Sequence, residues 1–147
     1  MKNENLTDLN FRSVNIPVYS LLDLIKNKEF KLEYFIDKQV GAWSNSKKSQ
    51  FIESFLIRAP IQSMVIHDGV HYYSIIDGME RISAINEFFN NEFELIDLKL
   101  LHELNGKKYS DLIRPIQRRI EETRLHMDYI SSFKQPDIAI RIASNYL

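Results

Sequence analysis

The sequence predicts an α+β domain in which helices surround a small mixed sheet. Two β-rich runs, 61–67 and 70–76, flank Asp68-Gly69, and Asp-Gly between two such runs is a strong hairpin signal. Apolar residues recur at helical spacing before and after this hairpin. A chain of 147 residues, 44% of them hydrophobic, can bury one core, so we expect a single domain over 1–147.

Composition excludes several classes of function. The 19 basic and 20 acidic residues give a net charge of −1, so a global attraction to nucleic acid or to an anionic membrane is not expected, although a local basic patch remains open. The chain has no cysteine, which removes disulfides and thiolate metal sites and fits a reducing compartment. No apolar run approaches the roughly 18 residues of a membrane span. We therefore expect a cytoplasmic protein without a membrane partner.

The elements before the hairpin are two helices and a strand. Residues 1–14 are polar and are expected to be flexible. Ser20 and Asp23 predict a capping box for a helix over 20–28, and 30–35 alternates as a strand. A second helix follows, which Ser44 or Ser46 can cap and which Pro60 ends. Its apolar residues form one stripe, namely Phe51, Ile52, Phe55 and Leu56.

The elements after the hairpin are mainly helical. Ile82, Ile85 and Phe88 predict a helix over 79–90, and Asn105-Gly106 predicts a tight turn. We further expect helix starts at 110–112 and 115–120, a strand at 125–130, and a last helix from Pro136 with Ile138, Ile142 and Tyr146 on one face. Because that helix runs uncapped to the final residue, the sequence favours a fragment of a longer protein.

The strand-to-helix junction Asp77-Gly78-Met79-Glu80-Arg81 carries the candidate chemistry. In a purely structural interpretation, Asp77 and Glu80 form a capping box that needs no ligand. However, Arg81 opposes the helix dipole by roughly 0.3–1 kcal/mol, and Gly78 leaves room for a ligand near the backbone. An anion held by free N–H groups and by Arg81 would offset both costs, and phosphate matches a guanidinium well.

This hypothesis assigns catalytic roles to Asp77, Glu80 and Arg81 and phosphate binding to Gly78 and Arg81. Asp77 and Glu80 would bind a divalent cation that bridges phosphates, or orient a water as general base. Mg²⁺ on the bound phosphate is the corresponding cofactor. Two carboxylates three residues apart are common, so the metal role depends on the phosphate role.

Other candidates favour structural interpretations. His67 and His71 flank the Asp-Gly turn, but a two-residue hairpin would place their rings on opposite faces of the sheet, so a shared metal is not expected. Trp43 is the only tryptophan, and we interpret it as a core anchor rather than a base-stacking residue. The lysines of the first half are expected to be solvated helix positions, namely Lys26, Lys28, Lys31, Lys38, Lys47 and Lys48.

The segment 76–85, IDGMERISAI, resembles the IDGQQRLTTI signature of the N-terminal domain of GmrSD-type restriction systems, a DGQQR-motif group related to the ParB and sulfiredoxin fold. Four other stretches also resemble that family: VYSLLDLI at 18–25, SQFIESFL at 49–56, API at 59–61 and LNGKKYSDL at 104–112.

The resemblance implies a ParB/sulfiredoxin-like fold that binds and hydrolyses a nucleoside triphosphate, and so regulates or powers a nuclease domain or subunit in restriction or phage defence. Asp77, Gly78 and Arg81 match the signature, while Met79 and Glu80 replace its two glutamines. The Gln-Arg pair that the family often places before Val-Trp is replaced by Lys38-Gln39 before Ala42-Trp43. Lys38 therefore becomes the replacement phosphate-binding charge.

Three functions follow in order of preference. The first is a nucleoside-triphosphate-binding domain, with NTPase activity, of a restriction or phage-defence protein. The second is a non-catalytic module that keeps the fold and binds DNA or protein. The third is a ParB-like, metal-dependent nuclease.

Overall fold

The computed structural model describes residues 9–35, 43–69 and 72–132. Short 3₁₀ helices cover His102–Leu104 and Tyr109–Asp111. Within the described ranges the strands are Leu9–Pro17 (β1), Phe30–Phe35 (β2), Met64–Asp68 (β3), Tyr73–Asp77 (β4) and Arg124–Ser132 (β5), and the α-helices are Val18–Lys26 (α1), Asn45–Leu56 (α2), Met79–Phe89 (α3) and Arg114–Glu121 (α4).

The five strands form one mixed sheet in the order β1-β5-β3-β4-β2. β5 lies antiparallel to β1 and parallel to β3. β4 lies antiparallel to β3 and parallel to β2. The predicted α+β class with a small mixed sheet is confirmed.

The helices pack against one face of this sheet. Along β5, Leu125, Met127 and Tyr129 point into the core, so Arg124 and His126, which alternate with them, lie on the opposite face. The same core includes fully buried residues from three helices and two other strands, namely Leu21, Ile52, Phe55, Met64, Ile66, Ile75, Ile82, Ile85 and Phe88. The face that carries Arg124 and His126 also holds a second buried cluster, in which Val65 and Ile130 pack with the partly buried Ile76.

The strand β1 corrects the expectation of flexibility over 1–14 for residues 9–14, the part of that segment that the structure describes. Residues 9–17 pair along their whole length with β5, from Leu9 opposite Ser132 to Pro17 opposite Arg124. The polar sequence of this segment did not predict a strand. The strand depends on hydrogen bonds to β5, which lies more than a hundred residues later in the chain.

The hairpin between β3 and β4 is confirmed, but its predicted two-residue turn is wrong. Asp68 pairs with Tyr73, so the connection spans 69–72, and the Gly69 N–H donates to the Tyr72 carbonyl over 3.2 Å. This register places Ile66 opposite Ile75 in the core. A two-residue turn would have placed Ile66 opposite a histidine, and the burial of the two isoleucines decides the register.

Helix starts were predicted with mixed success. Ser44 caps α2 as expected, with its hydroxyl accepting from the Lys47 N–H at 3.2 Å. The capping box at Ser20 is wrong, because α1 begins two residues earlier, after Pro17, without a side-chain cap. The buried Val18 donates its N–H to the Thr123 carbonyl at 2.9 Å and so fixes this earlier start.

The predicted last helix from Pro136 lies outside the described residues. None of the helices in the described part of the chain is long and apolar enough to cross a membrane.

Candidate functional site

The junction between β4 and α3 is the predicted strand-turn-helix. β4 ends at Asp77, α3 begins at Met79, and Gly78 between them has φ +114°. A Cβ atom at Gly78 would lie 2.8 Å from Cγ of Met64 on β3. Gly78 is therefore required by its backbone conformation and by close packing against β3. The space at its Cα, which the sequence suggested for a ligand, faces Met64.

The amino end of α3 is not closed by a capping box, so the purely structural interpretation of Asp77 and Glu80 is wrong. Gly78 is the N-cap residue and no side chain caps the helix. The first helical bond runs from the Ile82 N–H to the Gly78 carbonyl at 2.9 Å. Across the described residues, no hydrogen bond engages the N–H groups at positions 79–81. These three donors make the end attractive to an anion.

Arg81 connects three parts of the chain. Its Nη2 atom lies 3.2 Å from Oδ2 of Asp77. Its Nη1 atom donates to the carbonyl oxygens of Gln62 at 2.5 Å and Ser63 at 3.3 Å. The side chain is only 11% exposed. Arg81 thus ties α3 to the end of β4 and to residues 57–63, which we call the α2–β3 connection, and Asp77 and the carbonyls offset its unfavourable position in the helix dipole.

The other predicted site residues are only partly brought together. Glu80 is half-buried in the first turn of α3. No group of three or more histidine, aspartate or glutamate side chains within the described ranges could hold a metal ion, so a cation at Asp77 and Glu80 would need further ligands from a nucleotide or water. Lys38 and His71 lie outside the described residues. His67 is buried on β3. Trp43 packs against Phe51, with ring centroids 5.5 Å apart, as a structural anchor would.

A second concave region lies at the same end of the sheet. Asp77 pairs with Val65 near the start of β3, and β5 runs parallel to β3 from Arg124. Between the starts of these strands and the ends of α2 and α4 is a cleft of about 480 Å³. We call it the arginine cleft after three of its lining residues, Arg58, Arg119 and Arg124; His126 also lines it.

This cleft was not predicted from the sequence, which favoured solvated helix positions for the lysines of the first half. Lys48 is paired with Glu87 at 2.7 Å, and Lys47 lies over the Trp43 ring at 4.8 Å. The available signal was the density of arginine between 114 and 124. It could not be interpreted without the fold, because Arg58 comes from a distant connection.

We expect Arg81→Ala to lower the free energy of unfolding by about 2 kcal/mol, because it leaves the Asp77 carboxylate and two carbonyls without their partner. Chemical denaturation would measure the change. Arg118→Ala is the matched control, since Arg118 is exposed on α4 and its removal should cost less than about 0.5 kcal/mol. Equal losses in the two variants would show that the Arg81 contacts do not stabilise the junction.

Comparison with known families gives one match. The family described as GmrSD restriction endonuclease, N-terminal domain, matches residues 21–139. No curated protein and no solved structure matches the chain. The matched range includes the β4–α3 junction, the α2–β3 connection and the residues of the arginine cleft other than Asn15.

Proposed function

The chain belongs to the GmrSD restriction endonuclease N-terminal domain family, and we propose that it is a nucleoside-triphosphate-binding domain of a DNA restriction or phage-defence protein. The observation that carries this proposal is the uncapped amino end of α3 within the family's signature segment. A nuclease domain or subunit is the corresponding partner.

The amino end of α3 offers the chemistry that a phosphate requires. Three backbone N–H groups point away from the helix, and the macrodipole places partial positive charge at the same position. The Arg81 guanidinium lies close by and is balanced in part by the Asp77 carboxylate 3.2 Å away, while its hydrogen bonds hold the junction in shape. In this proposal the backbone contacts phosphate directly and Arg81 positions the turn. The replacement charge of Lys38 stays a prediction.

Glu80 is the carboxylate best placed to act on a bound nucleotide. Asp77 is already paired with Arg81, so a role for Asp77 in metal binding or as a base requires that pair to open. Glu80 has no ion pair among the described residues and lies in the first turn. We propose that Glu80 reaches a Mg²⁺ ion on the phosphates, where it can also orient a water for hydrolysis.

A thermal-shift titration with ATP, GTP, CTP and UTP, each with and without Mg²⁺, tests this proposal. A ligand that binds only the folded state adds about 2.7 kcal/mol of stability at a hundredfold excess over Kd. We expect at least one nucleotide to raise Tm. Glu80→Gln separates the two effects of Glu80: without metal, loss of its charge should strengthen binding about two- to fivefold, and with Mg²⁺, loss of a metal ligand should weaken it.

The matched control is Glu92→Gln, which removes an exposed glutamate just beyond α3 and should leave both titrations unchanged. If no nucleotide changes Tm, or if both variants behave alike, the phosphate site at α3 is wrong.

The second candidate function, a DNA-interaction module, is favoured by one observation. The Arg81 side chain makes three hydrogen bonds within the protein, whereas the charges of the arginine cleft are exposed to solvent. The metal-dependent nuclease receives less support, since the described residues contain no group of three metal ligands.

A further inference from the structure

We propose that the arginine cleft binds the phosphate backbone of double-stranded DNA, at a site separate from the nucleotide site at α3. The choice of DNA among polyanions rests on the proposed function. The existence of an anion site rests on the geometry of the cleft alone.

The cleft collects positive charge from three elements. Arg58 comes from the α2–β3 connection, Arg119 from α4 and Arg124 from the start of β5. Among the described residues that line it, Glu122 is the one acidic residue. In a chain of net charge −1, three arginines against one glutamate is a local excess that repels cations and attracts phosphate.

Two of these arginines have no internal role. No hydrogen bond or ion pair of the described residues engages the side chain of Arg58 or Arg124, and both are exposed. Arg119 is different, since its Nε donates to the Leu56 carbonyl at the end of α2 over 2.7 Å. That bond holds the Arg119 guanidinium at the cleft and leaves its terminal nitrogens for a ligand. A bidentate fork of this kind matches phosphate oxygens.

Arg58 follows α2 in a left-handed backbone conformation, as Lys28 does after α1. Arg58 has φ +58° and directly follows the C-cap Ile57 of α2. The Ala59 N–H donates to the Ser54 carbonyl at 2.9 Å, which is the Schellman arrangement that normally places glycine at the position of Arg58. A side chain there costs stability. An arginine at the end of a helix, however, complements its dipole.

The remaining polar lining residues are largely engaged within the protein, so the arginines are the main donors for a phosphodiester. The hydroxyls of Ser54 and Thr123 donate to the carbonyls of Phe51 and Arg119. His126 is held by Asn15, with Nδ1 2.5 Å from Oδ1, and its Nε2 lies 3.9 Å from Oδ1 of Asp128. A cleft of about 480 Å³ is larger than one phosphate requires and so accommodates sugar and neighbouring phosphate.

The test uses a variant that should not disturb folding. In Arg58→Gly/Arg124→Gln the glycine occupies a position that favours it, so we expect Tm to be unchanged or higher. DNA binding would be measured with a fluorescently labelled duplex of about 20 base pairs by anisotropy, between about 50 and 200 mM salt. We expect affinity to fall about tenfold or more, and the slope of log K against log salt to decrease in magnitude by about two.

Arg118→Gln is the matched control, because Arg118 lies on α4 but does not line the cleft, and it should bind DNA like the parent chain. The proposal is overturned if the parent chain does not bind the duplex, if the double variant binds as well as the parent, or if Arg118→Gln loses as much affinity. The nucleotide titration distinguishes the two proposals: the double variant should keep the nucleotide-induced rise in Tm, and Glu80→Gln should keep DNA binding.

Discussion

Glu53→Ala is expected to lower the free energy of unfolding by about 4 kcal/mol, because it leaves three backbone donors without an acceptor. Glu53 lies on α2 and is 3% exposed. Its Oε1 accepts from the Lys99 N–H at 3.0 Å, and its Oε2 accepts from the N–H groups of Leu100 at 2.9 Å and Leu101 at 2.8 Å. One carboxylate thus organises the long connection between α3 and α4. Urea denaturation would measure the loss.

The same site predicts a pH dependence. Burial by itself raises the pKa of Glu53, but the hydrogen bonds from the backbone at 99–101 together outweigh it and lower the pKa below the ordinary 4.5. A carboxyl group whose pKa is lower in the folded state stabilises the protein above its unfolded-state pKa. That stabilisation is lost as the pH falls through the folded-state pKa. The parent chain should therefore lose stability below about pH 4.5 more steeply than Glu53→Ala does.

Glu53→Gln gives an intermediate case, since one side-chain oxygen remains as an acceptor while the amide NH₂ faces backbone donors. We expect a loss of about 2 kcal/mol. Glu103→Gln, at an exposed position in the same connection, is the control and should change stability by less than about 0.5 kcal/mol. A Glu53→Ala variant as stable as this control would contradict the assigned role.

Gly78→Ala is expected to cost about 3 kcal/mol, from a backbone conformation that alanine rarely adopts and from overlap with Met64. The added methyl would lie 2.8 Å from Cγ and 3.1 Å from Cβ of Met64. These atoms are close to the backbone of β3, so the methionine cannot simply swing away. Because the junction also carries the phosphate site proposed above, the variant should weaken nucleotide binding as well.

Gly106→Ala separates the cost of backbone strain from the cost of overlap with Met64. Gly106 also has a positive φ, +87°, but a Cβ there meets nothing within 4 Å. We expect a loss of about 1 kcal/mol, which measures backbone strain alone. The difference between the two variants in thermal or chemical unfolding then measures packing against Met64. Equal losses would show that β3 yields to the methyl group.

The sequence alone was sufficient to predict those features that depend on neighbouring residues. The junction at Asp77-Gly78 was predicted because hydrophobic period changes there from strand to helix, and the Ser44 cap because its hydroxyl bonds within one turn. The partners of Arg81 could not be predicted, since the carbonyls of Gln62 and Ser63 reach it only through the pairing of β3 with β4.

The candidate sites show the same division. The signature residues and the free backbone N–H groups at the start of α3 were predicted from the sequence, because both follow from the local change from strand to helix. The role of Glu53 could not be predicted from the sequence, because its partners are backbone atoms more than forty residues away. The arginine cleft could not be predicted without the fold, because its arginines come from three separate parts of the chain.

The strand order has a consequence for how the protein is made. β5, the last strand of the described chain, lies between β1, the first, and β3. A ribosome therefore releases β1 long before its partner in this sheet exists, and the β1–β5 ladder closes only after residues 124–132 have emerged. Such distant pairing slows folding and leaves strand edges exposed in the meantime. Synthesis that pauses after α4 would hold the chain in this open, aggregation-prone form, and resumed synthesis would complete the sheet in one step.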